Sequence, residues 1–164
     1  MGNSKNFGWK LSRYIFNKNF SFNRQNIINV CGEKNIIDAY KKISDWKDYN
    51  ATPLIELKKL SDNLKLKNIF YKDESKRFHL KSFKALGGAY AVERVKEGKK
   101  NITISTATAG NHGRSVAWGA QRLGLKCKIF ISEYVSNARA EEMRKLGAEI
   151  IRVCLLYTSD AADD

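Results

Sequence analysis

The chain has 164 residues, 43% of them apolar, with 8 Phe, 7 Tyr and 3 Trp; that suffices for one domain with a buried core and excludes a low-complexity protein. No apolar run approaches the ~20 residues of a membrane span, and residues 1–6 lead into no apolar stretch, so neither a membrane partner nor a secretory leader is expected. The formal charge of +13 raises a nucleic-acid partner, but the lysines are intermixed with acids and no nucleic-acid module is present, so none is expected.

Three cysteines, Cys31, Cys127 and Cys154, are odd in number and lack metal-ligand spacing, which fits a reducing, cytoplasmic setting. His79 and His112, the two histidines, do not make a metal site.

In chain order, residues 1–32 carry Phe7, Trp9, Tyr14, Ile15, Phe16, Phe20 and Phe22 without a clean period, which suggests an ordered arm. Residues 33–48 read as a helix: Ile36, Ile37, Tyr40, Ile43 and Trp46 recur at three- and four-residue steps and read as core. Pro53 pushes Thr52 to extended geometry, so residues 49–54 read as a turn into an extended segment, and a helix is expected over 54–64. Residues 67–72 read as a strand and 83–97 as a helix that Gly98 closes. Residues 101–106 are a strand, and 108–113 a loop of small and polar residues. Residues 115–123 are a helix with Val116, Ala120 and Leu123 on one face and Gly124 as its stop. A strand over 126–131, a helix over 137–146 stopped by Gly147 and a strand over 148–153 complete the pattern. Such alternation implies an α/β fold with a doubly wound parallel sheet and right-handed crossovers.

Two stretches carry chemistry. The first is Asp73-Glu74-Ser75-Lys76-Arg77-Phe78-His79-Leu80-Lys81-Ser82-Phe83-Lys84-Ala85-Leu86-Gly87-Gly88-Ala89-Tyr90. Ser82 suits an N-cap, which places Lys84 in the first helical turn. The positive end of the helix disfavours an ammonium there, and Schiff-base chemistry needs a neutral amine. Gly87 and Gly88 each cost about 1 kcal/mol against Ala inside a helix, so another element or a flat ligand is expected against the bare backbone. The same spacing also describes an ordinary surface lysine beside a tight helix contact.

The second stretch, Thr106-Ala107-Thr108-Ala109-Gly110-Asn111-His112-Gly113, joins a strand end to a helix start. Ligands bind at that place in an open parallel sheet, and free N–H groups there suit an anion. It is neither a P-loop nor a GxGxxG dinucleotide pattern. An ordinary tight strand–helix turn has the same spacing.

Ser82-Phe83-Lys84 followed by Gly87-Gly88-Ala89-Tyr90-Ala91 resembles the lysine segment of the fold-type II pyridoxal-phosphate enzymes. The longer string from Lys72 to Tyr90, with Gly113-Arg114-Ser115-Val116-Ala117-Trp118-Gly119-Ala120, most resembles the diaminopropionate ammonia-lyases among them. The likeness covers roughly residues 50–153. It implies pyridoxal 5'-phosphate as cofactor, with Lys84 as the Schiff-base lysine and the base for the Cα proton. Phe83 and Asn111 join Lys84 in binding the cofactor, Asn111 at its ring hydroxyl. Thr108, Ala109, Gly110 and His112 line the substrate carboxylate. The implied reaction is α,β-elimination on a small amino acid, 2,3-diaminopropionate going to pyruvate and ammonia. A threonine or serine dehydratase, or an inactive truncated fragment, is the alternative. No metal is implied, and the full-length protein is expected to be a homodimer.

Ala109 stands where many of these lyases carry Asp, the base thought to serve the D-isomer; alanine accepts no proton and resembles the threonine dehydratases. Lys81 occupies a position usually held by a small or neutral residue and is expected to face solvent. The glycine-rich phosphate loop and the partner of the pyridine nitrogen, both further along in the family, do not occur in these residues. The expected divisions are 1–48 for the arm and first helix, 49–100 for the opening segment and lysine helix, and 101–153 for a partial α/β domain. Residues 154–164 resemble the in-frame translation of a sequencing-library adapter, and the natural sequence is expected to depart near Val153.

Overall fold

The computed structural model describes residue 21 and residues 23–154. Most of the aromatic arm, and the expected adapter-like tail beyond residue 154, lie outside the described residues. By internal contacts the chain divides into two units: Met1–Ile36 with Pro53–Asp73, and Ile37–Thr52 with Glu74–Asp164.

In the first unit, α1 (Arg24–Cys31) starts on Asn23, whose side chain accepts from the Gln25 N–H at 2.8 Å. The sequence offered no period for this helix. β1 (Leu54–Glu56) pairs antiparallel with β2 (Phe70–Lys72), Ile55 opposite Tyr71. The expected helix over 54–64 is thereby corrected. Its first residues are a strand because they find a partner further along the chain, in the register Ile55↔Tyr71, and only α3 (Lys58–Leu64) is helical. The Lys67 end of the expected strand is likewise trimmed to Phe70.

α2 (Glu33–Ser44) forms where its periodicity predicts, but its apolar stripe is not core. Ile36, Ile37 and Tyr40 are exposed, whereas Trp46, beyond the helix end, is buried. Periodicity fixes which face is apolar, not what covers it.

In the second unit, α4 (Lys84–Lys96), β3 (Thr103–Ala107), α5 (Asn111–Arg122), β4 (Lys126–Ser132), α6 (Asn137–Arg144) and β5 (Ala148–Val153) follow in order. The sheet is parallel in the order β3-β4-β5, with Ile104 opposite Cys127 and Ile129 opposite Ile150. On β4, Cys127, Ile129 and Ile131 alternate inward against Val116, Ala117, Ala120, Ala140 and Met143. Burial pushes the Cys127 thiol up to about 11. Lys128 points the other way and pairs with Glu149 at 3.3 Å. These residues therefore build an α/β sheet with one face closed.

α5 ends as its glycine predicts. Gly124 adopts φ 63°, its N–H reaches the Gln121 carbonyl at 3.2 Å, and the Leu125 N–H reaches Ala120 at 2.9 Å. This pair of bonds is the glycine-terminated helix stop. A second core cluster joins Trp46, Phe78, Leu80, Ala85 and Ala89, with Trp118 packed against it. The Trp46 indole N–H donates to Glu93 at 2.8 Å, and the Arg122 guanidinium lies 4.1 Å from the Trp46 ring centroid.

Candidate active site

The segment before Lys84 is held by a buried cation. Arg77, 5% exposed, donates from Nε to Glu74 at 2.7 Å, from Nη1 to the Asn50 carbonyl at 2.8 Å and from Nη2 to Thr52 Oγ1 at 2.9 Å. Thr52 Oγ1 in turn donates to Glu74. The hydrogen bond to Glu74 raises the Arg77 pKa against the opposing effect of burial. Around this anchor the backbone turns left-handed at three non-glycine residues: Phe78 at φ 44°, His79 at 59° and Lys81 at 59°. Each such residue costs of order 1–3 kcal/mol and persists only where its surroundings overdetermine it. Here the Arg77 bonds on one side and the buried Phe78 and Leu80 side chains on the other do so. Lys81 is exposed to solvent.

Lys84 opens α4 and is half-buried. Its N–H donates to Ser82 Oγ at 3.2 Å, so the Ser82 hydroxyl serves a first-turn donor although Phe83 occupies the cap position. Phe83 itself is largely exposed. The two glycines differ. A Cβ on Gly88 would lie 2.2 Å from Ser115 Oγ of α5, while one on Gly87 would meet nothing within 4 Å. Gly88 thus answers the expectation of a packed backbone, and Gly87 does not.

The second stretch follows β3. Thr108 is buried and its N–H donates to the Phe130 carbonyl of β4 at 3.1 Å. α5 begins at Asn111, four residues earlier than the sequence reading, because residues 111–114 form its first turn. Asn111 and His112 are therefore helical rather than loop residues. Gly113 is required by space: a Cβ there would come 2.7 Å from Met143 Sδ and 3.2 Å from Thr108 Cγ2. The first turn of α5 holds no acid, and its leading N–H groups lack intrahelical acceptors by construction, so the place favours negative charge.

Ala109, Gly110 and Asn111 line a cavity of about 370 Å³ together with Arg114, Ala138, Arg139 and Glu142. Lys84, Phe83, Thr108 and His112 do not line it. The cavity residues on α6 carry no local signal in the sequence, since only the crossover through β4 brings them to the start of α5. Arg114 Nη1 donates to Asn111 Oδ1 at 3.4 Å, and Nη2 lies 3.9 Å from Glu142. Arg114 Nε is buried and makes no hydrogen bond among the described residues. The Glu142 pKa is lowered, first by its hydrogen bond with Lys145 and with Arg114 contributing less.

The lysine stretch meets the helix that follows the second stretch where Ser115 Oγ donates to the Lys84 carbonyl at 2.5 Å. One turn, 5.4 Å of helix, holds about four residues, so Asn111 and the peptide of Lys84 stand on adjoining helix starts. Lys84, Asn111 and the leading N–H groups of α5 supply an amine, an amide and N–H donors from these two helix starts, a set suited to an aldehyde-bearing aromatic cofactor and a carboxylate; of them, Asn111 lines the cavity. No helix among the described residues is long and apolar enough to cross a membrane, and none of their side chains cluster as a metal site.

Comparison with known proteins gives this arrangement a context. A family model described as pyridoxal-phosphate dependent enzyme matches residues 46–164. The diaminopropionate ammonia-lyase of Salmonella typhimurium is 40% identical over 144 residues, which are 74% of this chain and 35% of that protein. The apo crystal structure of the Escherichia coli diaminopropionate ammonia-lyase superposes with a TM-score of 0.65 at 39% identity, covering 70% of this chain and 35% of that one. A biosynthetic L-threonine dehydratase of Haemophilus influenzae is 32% identical over 122 residues, 73% of this chain and 23% of that protein. The chain spans about a third of the length of the ammonia-lyases it matches.

Proposed function

The chain belongs to the pyridoxal-phosphate dependent enzymes, and from that premise we propose that it is the lysine-bearing part of a lyase that eliminates ammonia from 2,3-diaminopropionate. The observation that carries the reading is the Ser115–Lys84 bond, which sets the amine-bearing turn of α4 against the first turns of α5. Lys84 holds the cofactor through its amine and takes the Cα proton of the substrate, and Asn111 holds the cofactor's ring hydroxyl through its amide. Bound pyridoxal phosphate supplies an electron sink for the charge left at Cα. Thr108, Ala109, Gly110 and His112 hold the substrate carboxylate with N–H groups and a hydroxyl, and Phe83 borders the cofactor. The positive end of α5 offsets the carboxylate charge. The fit is one-sided: the amine and amide are here, and the phosphate partners are not among these residues.

Residues 49–100 carry the opening segment and the lysine, and residues 101–153 the carboxylate loop. The full-length protein is read as a cytoplasmic homodimer. The scattered spacing of the cysteines supports a reducing compartment, and the open apolar side chains of α2 support assembly.

A second reading, threonine or serine dehydratase, is favoured by one observation: Ala109 lines the cavity without a carboxylate. The test is a substrate panel on the full-length protein. L-2,3-diaminopropionate is expected to give pyruvate faster than L-serine gives pyruvate or L-threonine gives 2-oxobutyrate, with the D-isomer slow; the reverse order would select the dehydratase. Lys84→Ala is expected to lower turnover by at least about 10²–10⁴-fold, the range for losing a positioned acid–base group, and to abolish the absorbance of bound cofactor. Retained turnover would reject the role of Lys84.

A further inference from the structure

We propose that Ser115 is a positioning residue: its buried hydroxyl locks the peptide of Lys84 to the helix that starts with Asn111, and so sets the reach of the lysine amine. The inference rests on the reading of Lys84 as the cofactor-holding amine.

Ser115 is 0% exposed. Its Oγ lies 2.5 Å from the Lys84 carbonyl, and a carbonyl has two lone pairs. One serves the Gly88 N–H by the helix rule of four residues; Ser115 takes the other. Gly88 makes room for this, since a Cβ there would fall 2.2 Å from Ser115 Oγ and 2.7 Å from Ser115 Cβ. Three residues thus interlock: Gly88 vacates the space, Ser115 fills it, and Lys84 receives the bond.

A contact further along the same pair of helices shows what packing alone requires. A Cβ on Gly119 would lie 2.7 Å from Ala89 Cα and 3.3 Å from Val92 Cβ; that approach is apolar and needs no donor. If Ser115 only filled space, alanine would serve. A hydroxyl aimed at the one peptide that bears the amine adds direction. Lysine is long and flexible, so the placement of its amine depends on a fixed root, and Ser115 bonds that root while standing one turn beyond Asn111 on the same helix.

Two variants of the full-length protein separate the bond from the packing. Ser115→Ala keeps the Cβ and removes the hydroxyl. The double variant Ser115→Gly with Gly88→Ala moves the small side chain to the other helix, preserving the filled space without the donor. Each is measured for thermal unfolding, for the rate at which cofactor-free protein captures pyridoxal phosphate, for hydrogen exchange of the first-turn amides of α4 without cofactor, and for kcat and KM. The expected result is cooperative unfolding in the double variant, KM within about threefold of the parent, and capture rate and kcat both down about tenfold, equivalent to about 1.4 kcal/mol. First-turn exchange rises in both variants. Capture and kcat at parental values in the double variant overturn the proposal, as does a loss of unfolding temperature with kcat and KM shifting together. Lys84→Ala, run alongside, keeps the two claims apart. If it retains the cofactor absorbance, the reading of Lys84 fails; if it loses the absorbance while the double variant behaves as the parent, only the role of Ser115 fails.

Discussion

The α4–α5 contact and the β1–β2 pair solve the burial problem in opposite ways. Between α4 and α5 the residues are small, and the backbones approach until Gly88 and Gly119 become obligatory; Ala85, Ala89, Ala117 and Ala120 are fully buried. On β1 and β2 the residues are large and open, with Leu54 64% and Phe70 55% exposed and Ile55 and Tyr71 also exposed. A close-packed contact transmits position, because a change of one methyl is felt. An open two-stranded pair does not, and two strands alone are marginal in water. Lys84 and the start of α5 sit on the first kind of contact. This is why local precision at the site is available within these residues.

Substitutions test that contrast. Arg77→Ala, which removes the buried guanidinium that bonds the partly buried Glu74 in the turn leading to α4, is expected to cost about 3–5 kcal/mol. Urea unfolding measures it, and a cost under about 1 kcal/mol would mean that the left-handed turn holds itself. Gly119→Ala drives a methyl against the backbone of Ala89 and is expected to cost about 1–3 kcal/mol, the range for overpacking. Its counterpart Gly87→Ala, with open space at its Cβ, is expected to stabilise the protein by up to about 1 kcal/mol through helix propensity. If both glycines respond alike, the close approach of the helices is wrong. Tyr71→Ser on the open pair is expected to stay within about 0.5 kcal/mol, as exposed substitutions do; a cost above about 2 kcal/mol would show that the pair is covered in solution.

How much of this the sequence disclosed depended on whether the signal was local. The glycine stops at Gly98, Gly124 and Gly147 all take positive φ and bounded their elements well. The strands β3, β4 and β5 stand out as apolar runs between them, and Ser82 accepts from the lysine turn as expected, although Phe83 holds the cap position. The turn at Pro53 announces extended backbone, but the length and pairing of β1 are not legible because they come from β2. The start of α5 is not legible because Gly110, Asn111 and Gly113 favour loop by propensity, and residues 111–113 are helical only in context. The left-handed Phe78, His79 and Lys81 were invisible, since nothing in those side chains announces a positive φ and the cause is Arg77 bonding back to Asn50 and Thr52. At the site, the two motifs were legible as strings. Ser115, Arg139 and Glu142 were not, because their roles exist only after the helices pack.

The central claim is that Lys84 is the amine that holds the cofactor. The direct measurement is borohydride reduction of the full-length protein after incubation with pyridoxal phosphate, followed by peptide mass spectrometry to locate the fixed label. The account predicts one stoichiometric label on Lys84. A label on the solvent-facing Lys81, or one spread over many exposed lysines with Lys84 unmodified, would contradict it.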